Sequence, residues 1–280
     1  MKKGTVLLLA SFISLAASLF VAAPTAAQTK KVEVKVFAAA SLKGVMSKFE
    51  ARYEKIHPDV DIILNTDSSG KLMNQIKEGA PCDIFFSAAT KQMDELEKTN
   101  QVRIGTRMNV LNNQLVVITR PDSKTAVKGL ATLNKAKSIA LAHGSVPVGK
   151  YTRRALINLG TLKKIDDPAK YTTQQVSEAL GGVEISEQSN VTKVLTAVEE
   201  ASCEVGTTYL SDTVGHEQNI KILEVVSYDV AGDIIYPIAL IVNPDASVNE
   251  YSSAVDFLKF ITNEVAKVSY REFGFDTNVK

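Results

Sequence analysis

Two periodicities take turns along this chain, and their alternation restricts its fold more than any other feature. Short runs rich in β-branched and aromatic residues read as strands: 32–37 (VEVKVF), 60–64 (VDIIL), 83–87 (DIFFS), 115–119 (LVVIT), 138–142 (SIALA), 205–209 (VGTTY) and 220–226. Between them, apolar residues recur every three or four positions. Leu42, Val45, Met46, Phe49, Tyr53 and Ile56 predict a helix over 42–56, and Leu72, Met73 and Ile76 predict one after Ser69-Gly70. Further helical stretches are predicted at 92–98, 151–159, 174–180, 191–201 and 251–273, and a long apolar strand bent at Pro237 at 234–242. Strands that alternate with helices in this way build α/β layers with a largely parallel sheet. No internal repeat interrupts the pattern.

The start of the chain stands apart. Lys2 and Lys3 precede an apolar run over residues 6–23, which is followed by Pro24 and the small residues Thr25-Ala26-Ala27. This is the layout of a secretory signal peptide, with cleavage expected after Ala27. A retained anchor helix is the competing reading, since the run is just long enough to cross a bilayer. The small-residue exit and the polar Gln28-Thr29-Lys30-Lys31 favour cleavage. Export makes a disulfide between Cys82 and Cys203 chemically available, although the spacing alone does not pair them.

Charge narrows the partners. Lys+Arg is 32 against 31 Asp+Glu, so the chain lacks the basic excess that neutralising nucleic-acid phosphates requires. The three histidines, His57, His143 and His216, have no partner four residues away and do not suggest a zinc pair or a triad base. No G-x-S-x-G elbow is present. The segment from Gly144 to Lys150 fits G-x-x-x-x-G-K, but Tyr151 stands where a nucleotide P-loop needs a magnesium-binding hydroxyl. What survives is a glycine-containing helix entrance with free backbone N–H groups, which suits an anion. Ser41 and Ser69 stand at two further helix starts, and ordinary N-capping is the plain alternative for each.

Several segments, taken in order, resemble one family. Phe37-Ala38-Ala39-Ala40-Ser41-Leu42 resembles the opening of the periplasmic molybdate-binding proteins of ABC transporters. Gly79-Ala80-Pro81-Cys82-Asp83-Ile84-Phe85, Val146-Pro147-Val148-Gly149 with Tyr151, Val205-Gly206 through Tyr209 with Ser211-Asp212, Tyr236-Pro237-Ile238-Ala239 and Phe273-Gly274-Phe275 continue the likeness. The resemblance implies a type II periplasmic-binding-protein fold, with two α/β lobes joined by crossing strands and the ligand in the cleft between them. It places one lobe at residues 28–112 plus 236–280 and the other at 113–235. It also implies an extracytoplasmic, monomeric binding protein, not an enzyme, that takes up molybdate or tungstate without any cofactor and delivers it to a membrane permease. Sulfate, phosphate or another anion on the same fold is the alternative. A serine hydrolase using Ser41 or Ser69, with His143 as base, is the more distant one.

Carried over position by position, the resemblance makes Ser41, Ser69 and Tyr209 hydroxyl donors and Val148 and Val191 backbone donors to the oxyanion. Lys71 and Lys150 lie close enough in sequence to alter this neutral shell if they face the ligand. Asp67 is the acid best placed to add an acceptor. The resemblance also puts Cys82 and Cys203 near strand starts in different lobes, which argues against their pairing. Molybdate and tungstate are tetrahedral dianions without a proton near neutral pH, so a shell made only of donors suits them. Phosphate keeps a proton that such a shell leaves unpaired, at a cost of about 1–3 kcal/mol.

Overall fold

The computed structural model describes Met1 and residues 30–279; the expected signal segment falls outside the described residues. The described residues from 31 onward form one compact unit. The first part runs β1 (Val32–Ala39), α1 (Lys43–Ile56), β2 (Val60–Asp67), α2 (Ser69–Lys77), β3 (Ile84–Phe86), α3 (Thr90–Lys98) and β4 (Met108–Leu111). The second runs β5 (Leu115–Thr119), β6 (Ser138–Ala142), α4 (Pro147–Asn158), α5 (Thr173–Ala179), β7 (Glu184–Gln188), α6 (Val191–Glu199), β8 (Val205–Tyr209) and β9 (Lys221–Val225). The chain then passes through α7 (Tyr228–Ala231) to β10 (Tyr236–Leu240), α8 (Val248–Thr262) and α9 (Glu264–Glu272).

These strands form two five-stranded sheets, in the orders β2-β1-β3-β10-β4 and β7-β6-β8-β5-β9. Each sheet has a parallel trio, β2-β1-β3 or β7-β6-β8, extended by antiparallel strands. Strand β10 returns to the first sheet after the whole second sheet has been made. The chain therefore crosses between the sheets twice, at residues 112–114 and 226–235. Asn112 ties the crossings together: its Nδ2 donates to Asp233 Oδ1 at 2.8 Å, its Oδ1 accepts from Ile234 N at 2.8 Å, and its backbone pairs with Asp276.

Burial explains the elements. Val34, Val36 and Ala38 of β1 are fully buried against Val45, Met46 and Phe49 of α1, and Tyr53, Phe257, Phe260 and Tyr270 join them in edge-to-face aromatic contacts. Strand β5 is buried along its whole length, as suits a strand inside a sheet covered on both faces. Some details differ from the sequence-based expectation. The apolar run 234–242 contributes only Tyr236–Leu240 as strand, with a register shift at Pro237, whose ring lacks the N–H a regular ladder uses. The C-terminal helical stretch breaks at Asn263, whose side chain accepts from Ala266 N and caps a new helix. Strand β7, rich in glutamate and serine, had no apolar alternation to announce it.

Both cysteines are free and buried. Cys82 precedes β3 in the first sheet, where its Sγ donates to Ile84 O at 3.2 Å, and Cys203 precedes β8 in the second.

Candidate functional site

The carboxyl ends of β1, β2, β6 and β8 and the starts of the helical segments that follow them or β7 meet at one small pocket. Its cavity volume is about 10 Å³, and it is lined by Ala39, Ala40, Ser41, Ser68, Ser69, Ala88, Val146, Pro147, Val148, Asn190, Val191 and Tyr209. All five residues singled out from the sequence, Ser41, Ser69, Val148, Val191 and Tyr209, line it, and each is buried. The position follows from the topology, because ligands of such sheets sit beyond the strand carboxyl ends where helix N-termini converge. A cavity this small, far below the about 300–1,000 Å³ usual for organic ligands, suits a small ion.

The side chains around it are prepared to donate. Ser69 Oγ accepts from Ala88 N at 2.9 Å, which leaves its own proton free. Ser41 Oγ lies 2.9 Å from Tyr236 Oη. Tyr209 Oη is buried and has no hydrogen-bond partner among the described residues. Burial also pushes the Tyr209 phenol well above its ordinary value, so it keeps its proton at any physiological pH. The N-capping alternative fails for both serines: Ser41 lies in a short 3-10 turn (Ala40–Leu42), Ser69 is the first residue of α2, and neither helical start has a side-chain cap. Val148 and Val191 sit in the first turns of α4 and α6, where backbone N–H groups have no partner within the helix.

Helix α4 begins at Pro147, four residues before the expected start, because proline needs no N–H there and its ring already holds the helical φ. This moves the glycine of the apparent G-x-x-x-x-G-K into the first turn. A Cβ on Gly149 would lie 2.2 Å from His143 O and 2.4 Å from Ala142 O, so this glycine serves close packing of the helix on the strand end. Arg153, fully buried, stands behind the same loop. Its Nη1 donates to Ala142 O at 2.8 Å and Gly149 O at 2.9 Å, and its Nε donates to Tyr171 O at 2.8 Å. Burial brings its pKa down to about 10, still high enough to hold a full positive charge. No motif in the sequence singled it out.

Among the described residues, no charged side chain lines the pocket. Lys71 and Lys150 line a wider cleft beside it, with Lys91, His143 and Glu187. Lys71 Nζ is paired with Asp67 Oδ2 at 2.6 Å. Asp67 also accepts from Ser68 N and from Asn190 Nδ2, at 2.8 and 3.2 Å. Burial alone would raise its pKa, but these bonds together hold it below the usual carboxylate value. Its oxygens are thus committed elsewhere, and it adds no acceptor to the pocket. His143 Nδ1 accepts from Ser145 N at 3.1 Å and lies 2.7 Å from Ser145 Oγ. It has no hydrogen bond to Ser41 or Ser69, so neither serine has the base a nucleophile requires. The Asp67–Asn190 bond and the ion pair of Lys91 with Asp167, at 3.2 Å, both link elements of the first sheet to elements of the second.

The chain as a whole is similar to several known proteins. The molybdate-binding protein ModA of Haemophilus influenzae is 28% identical over 249 residues, covering 87% of this chain and 89% of its own. A substrate-binding domain from Clostridium difficile, assigned to a molybdenum ABC transporter, is 34% identical, with a TM-score of 0.63 over 89% of this chain and all of that one. The periplasmic molybdate-binding protein of Azotobacter vinelandii, at 19% identity, shares the fold with a TM-score of 0.70 over 86% of this chain and 98% of its own. The profile of the bacterial extracellular solute-binding proteins matches residues 34–276. A two-sheet fold of the periplasmic-binding-protein type, a donor-lined pocket without catalytic machinery and that match agree: the chain belongs to the bacterial extracellular solute-binding protein family.

Proposed function

We propose that this protein captures molybdate or tungstate outside the cytoplasm and hands it to an ABC-transporter permease. The observation that carries the reading is the buried, unpartnered Tyr209 hydroxyl in a pocket with no charged side chain. Such a hydroxyl is costly when unpaired and becomes useful when an anion accepts from it. Ser41, Ser69 and Tyr209 would donate through hydroxyls, and Val148 and Val191 through backbone N–H groups. Buried Arg153 adds positive potential from behind without touching the ligand. The molybdate-binding relatives favour this ion over sulfate or phosphate. Two lobes, residues 28–112 with 236–280 and residues 113–235, would close on it, a division supported by the strand membership of the two sheets. Residues 1–27 would be removed on export, and the mature protein would act as a monomer without a cofactor.

Isothermal titration of the mature chain, residues 28–280, with molybdate, tungstate, sulfate and phosphate tests the proposal. Micromolar or tighter binding of the first two, about −8 kcal/mol or beyond, is expected. Binding of phosphate or sulfate alone would refute the metal-oxyanion reading.

A further inference from the structure

Ser41 belongs to a chain of hydrogen bonds whose direction is fixed from its far end. Asn113, in the crossing between β4 and β5, accepts from Gln114 N through Oδ1 at 2.9 Å. That bond settles which end of the amide is which, because a backbone N–H needs an acceptor. Asn113 Nδ2 therefore faces Ser211 Oγ at 2.8 Å and Tyr236 Oη at 3.0 Å, and as an amide nitrogen it can only donate. Tyr236 Oη is an acceptor toward Asn113. Its own proton has one remaining partner, Ser41 Oγ, at 2.9 Å. Tyr236 is fully buried and packs edge-on against Tyr209 and Phe275, so its ring cannot swing to another acceptor. Among the described residues, Ser41 Oγ makes no other side-chain hydrogen bond. If Tyr236 donates to it, the Ser41 proton is left pointing to the pocket.

We propose that Asn113 and Tyr236 are specificity-determining positioning residues: a one-way relay, Asn113 to Tyr236 to Ser41, locks the Ser41 hydroxyl as a donor and denies the pocket an acceptor for protonated anions. The inference rests on the oxyanion reading of the pocket and adds to it the origin of the selectivity. A free serine hydroxyl is ambidextrous. It can donate to molybdate or rotate and accept the proton of hydrogen phosphate. A serine that already receives a proton from a buried tyrosine keeps one lone pair, but turning it to the pocket would send its own proton away from the pocket, where no other side-chain acceptor waits among the described residues. The relay begins in the crossing segment, so the selectivity of a first-sheet serine is set by a residue between the two sheets.

The test compares molybdate and hydrogen phosphate affinities by titration calorimetry at pH 8 in wild type, Tyr236→Phe, Ser41→Ala and the double variant. Tyr236→Phe keeps the ring, and Asn113 keeps Ser211 as partner. It frees Ser41 to rotate, so the molybdate-to-phosphate affinity ratio should fall by about tenfold, mostly through tighter phosphate binding. In the Ser41→Ala background the same change should leave the ratio unaltered, because the relay acts only through that hydroxyl. A ratio unchanged by Tyr236→Phe, or altered equally with and without Ser41, overturns the relay while molybdate binding by wild type still stands. A wild-type protein that binds neither anion overturns the oxyanion reading and the relay with it.

Discussion

Removing a single oxygen at Tyr209 should move stability and affinity in opposite directions. Among the described residues, the protein offers this buried hydroxyl no partner of its own, and a buried hydroxyl left unpaired costs about 1–3 kcal/mol. Tyr209→Phe relieves that cost while keeping the ring, which packs edge-on at 6.1 Å from Tyr236. A chain of this size gains about 2–4 °C in Tm per kcal/mol, so the free variant should melt a few degrees above wild type. With molybdate bound, the hydroxyl becomes a donor to a charged acceptor, worth about 1.5–3 kcal/mol. Its loss should weaken binding by about 10- to 150-fold. Thermal melts with and without molybdate, combined with titration calorimetry, measure both effects. A free variant that melts below wild type, or one that binds molybdate with undiminished affinity, would refute the assignment of Tyr209 as a donor waiting for an anion.

Other expectations follow from the same geometry. Gly149→Ala places a Cβ within 2.4 Å of two backbone carbonyls, so chemical denaturation should show a loss of about 1–3 kcal/mol together with weakened binding. Burial pushes the Asp212 carboxyl up to about 6 from an ordinary 3.8. As pH rises from about 4 to 6 the unfolded chain ionises there while the folded chain holds the proton, so this group's effect is to lower stability across that window. Asp212→Asn keeps an oxygen for Thr208 and Tyr209 N; urea melts should find it more stable than wild type above pH 6, with the gap closing by pH 4. Asn190→Asp retains the cap on Lys193 N but sets a second carboxylate against Asp67, so molybdate affinity should drop about tenfold at low salt and recover partly at high salt.

The alternation of strands and helices was legible in the sequence because burial imposes it locally. The parallel trios need helices between strands, and the helices need an apolar face, so both left their spacing in the chain. Ser41 and Ser69 were legible as candidates, yet sequence could not say whether their hydroxyls cap a helix or face a pocket. That depends on Ala88 N and Tyr236 Oη, groups brought in from elsewhere in the chain. The bond between Ser41 and Tyr236 spans 195 positions. Tyr236 fell inside the apolar run 234–242, and neither Asn113 nor Arg153 stood in a motif that singled it out. Their roles arise from directions of hydrogen bonds across the crossings and the strand ends, which no local pattern records. Pro147 was different: its preference for the first helical position was readable, and the helix start was placed too late because the glycines on either side suggested a loop.

The two free cysteines give the molecule a pair of internal clocks. One buried thiol lies beside each sheet, and burial keeps both above the ordinary thiol pKa, so native Cys82 and Cys203 are poor nucleophiles. Each can react with an aromatic disulfide reagent only when its own surroundings open. The two modification rates, read under native conditions, would therefore time the breathing of the two sheets separately. An ion held by residues from both sheets should slow both clocks at once, and the ratio of the two slowdowns would show how evenly the grip is shared.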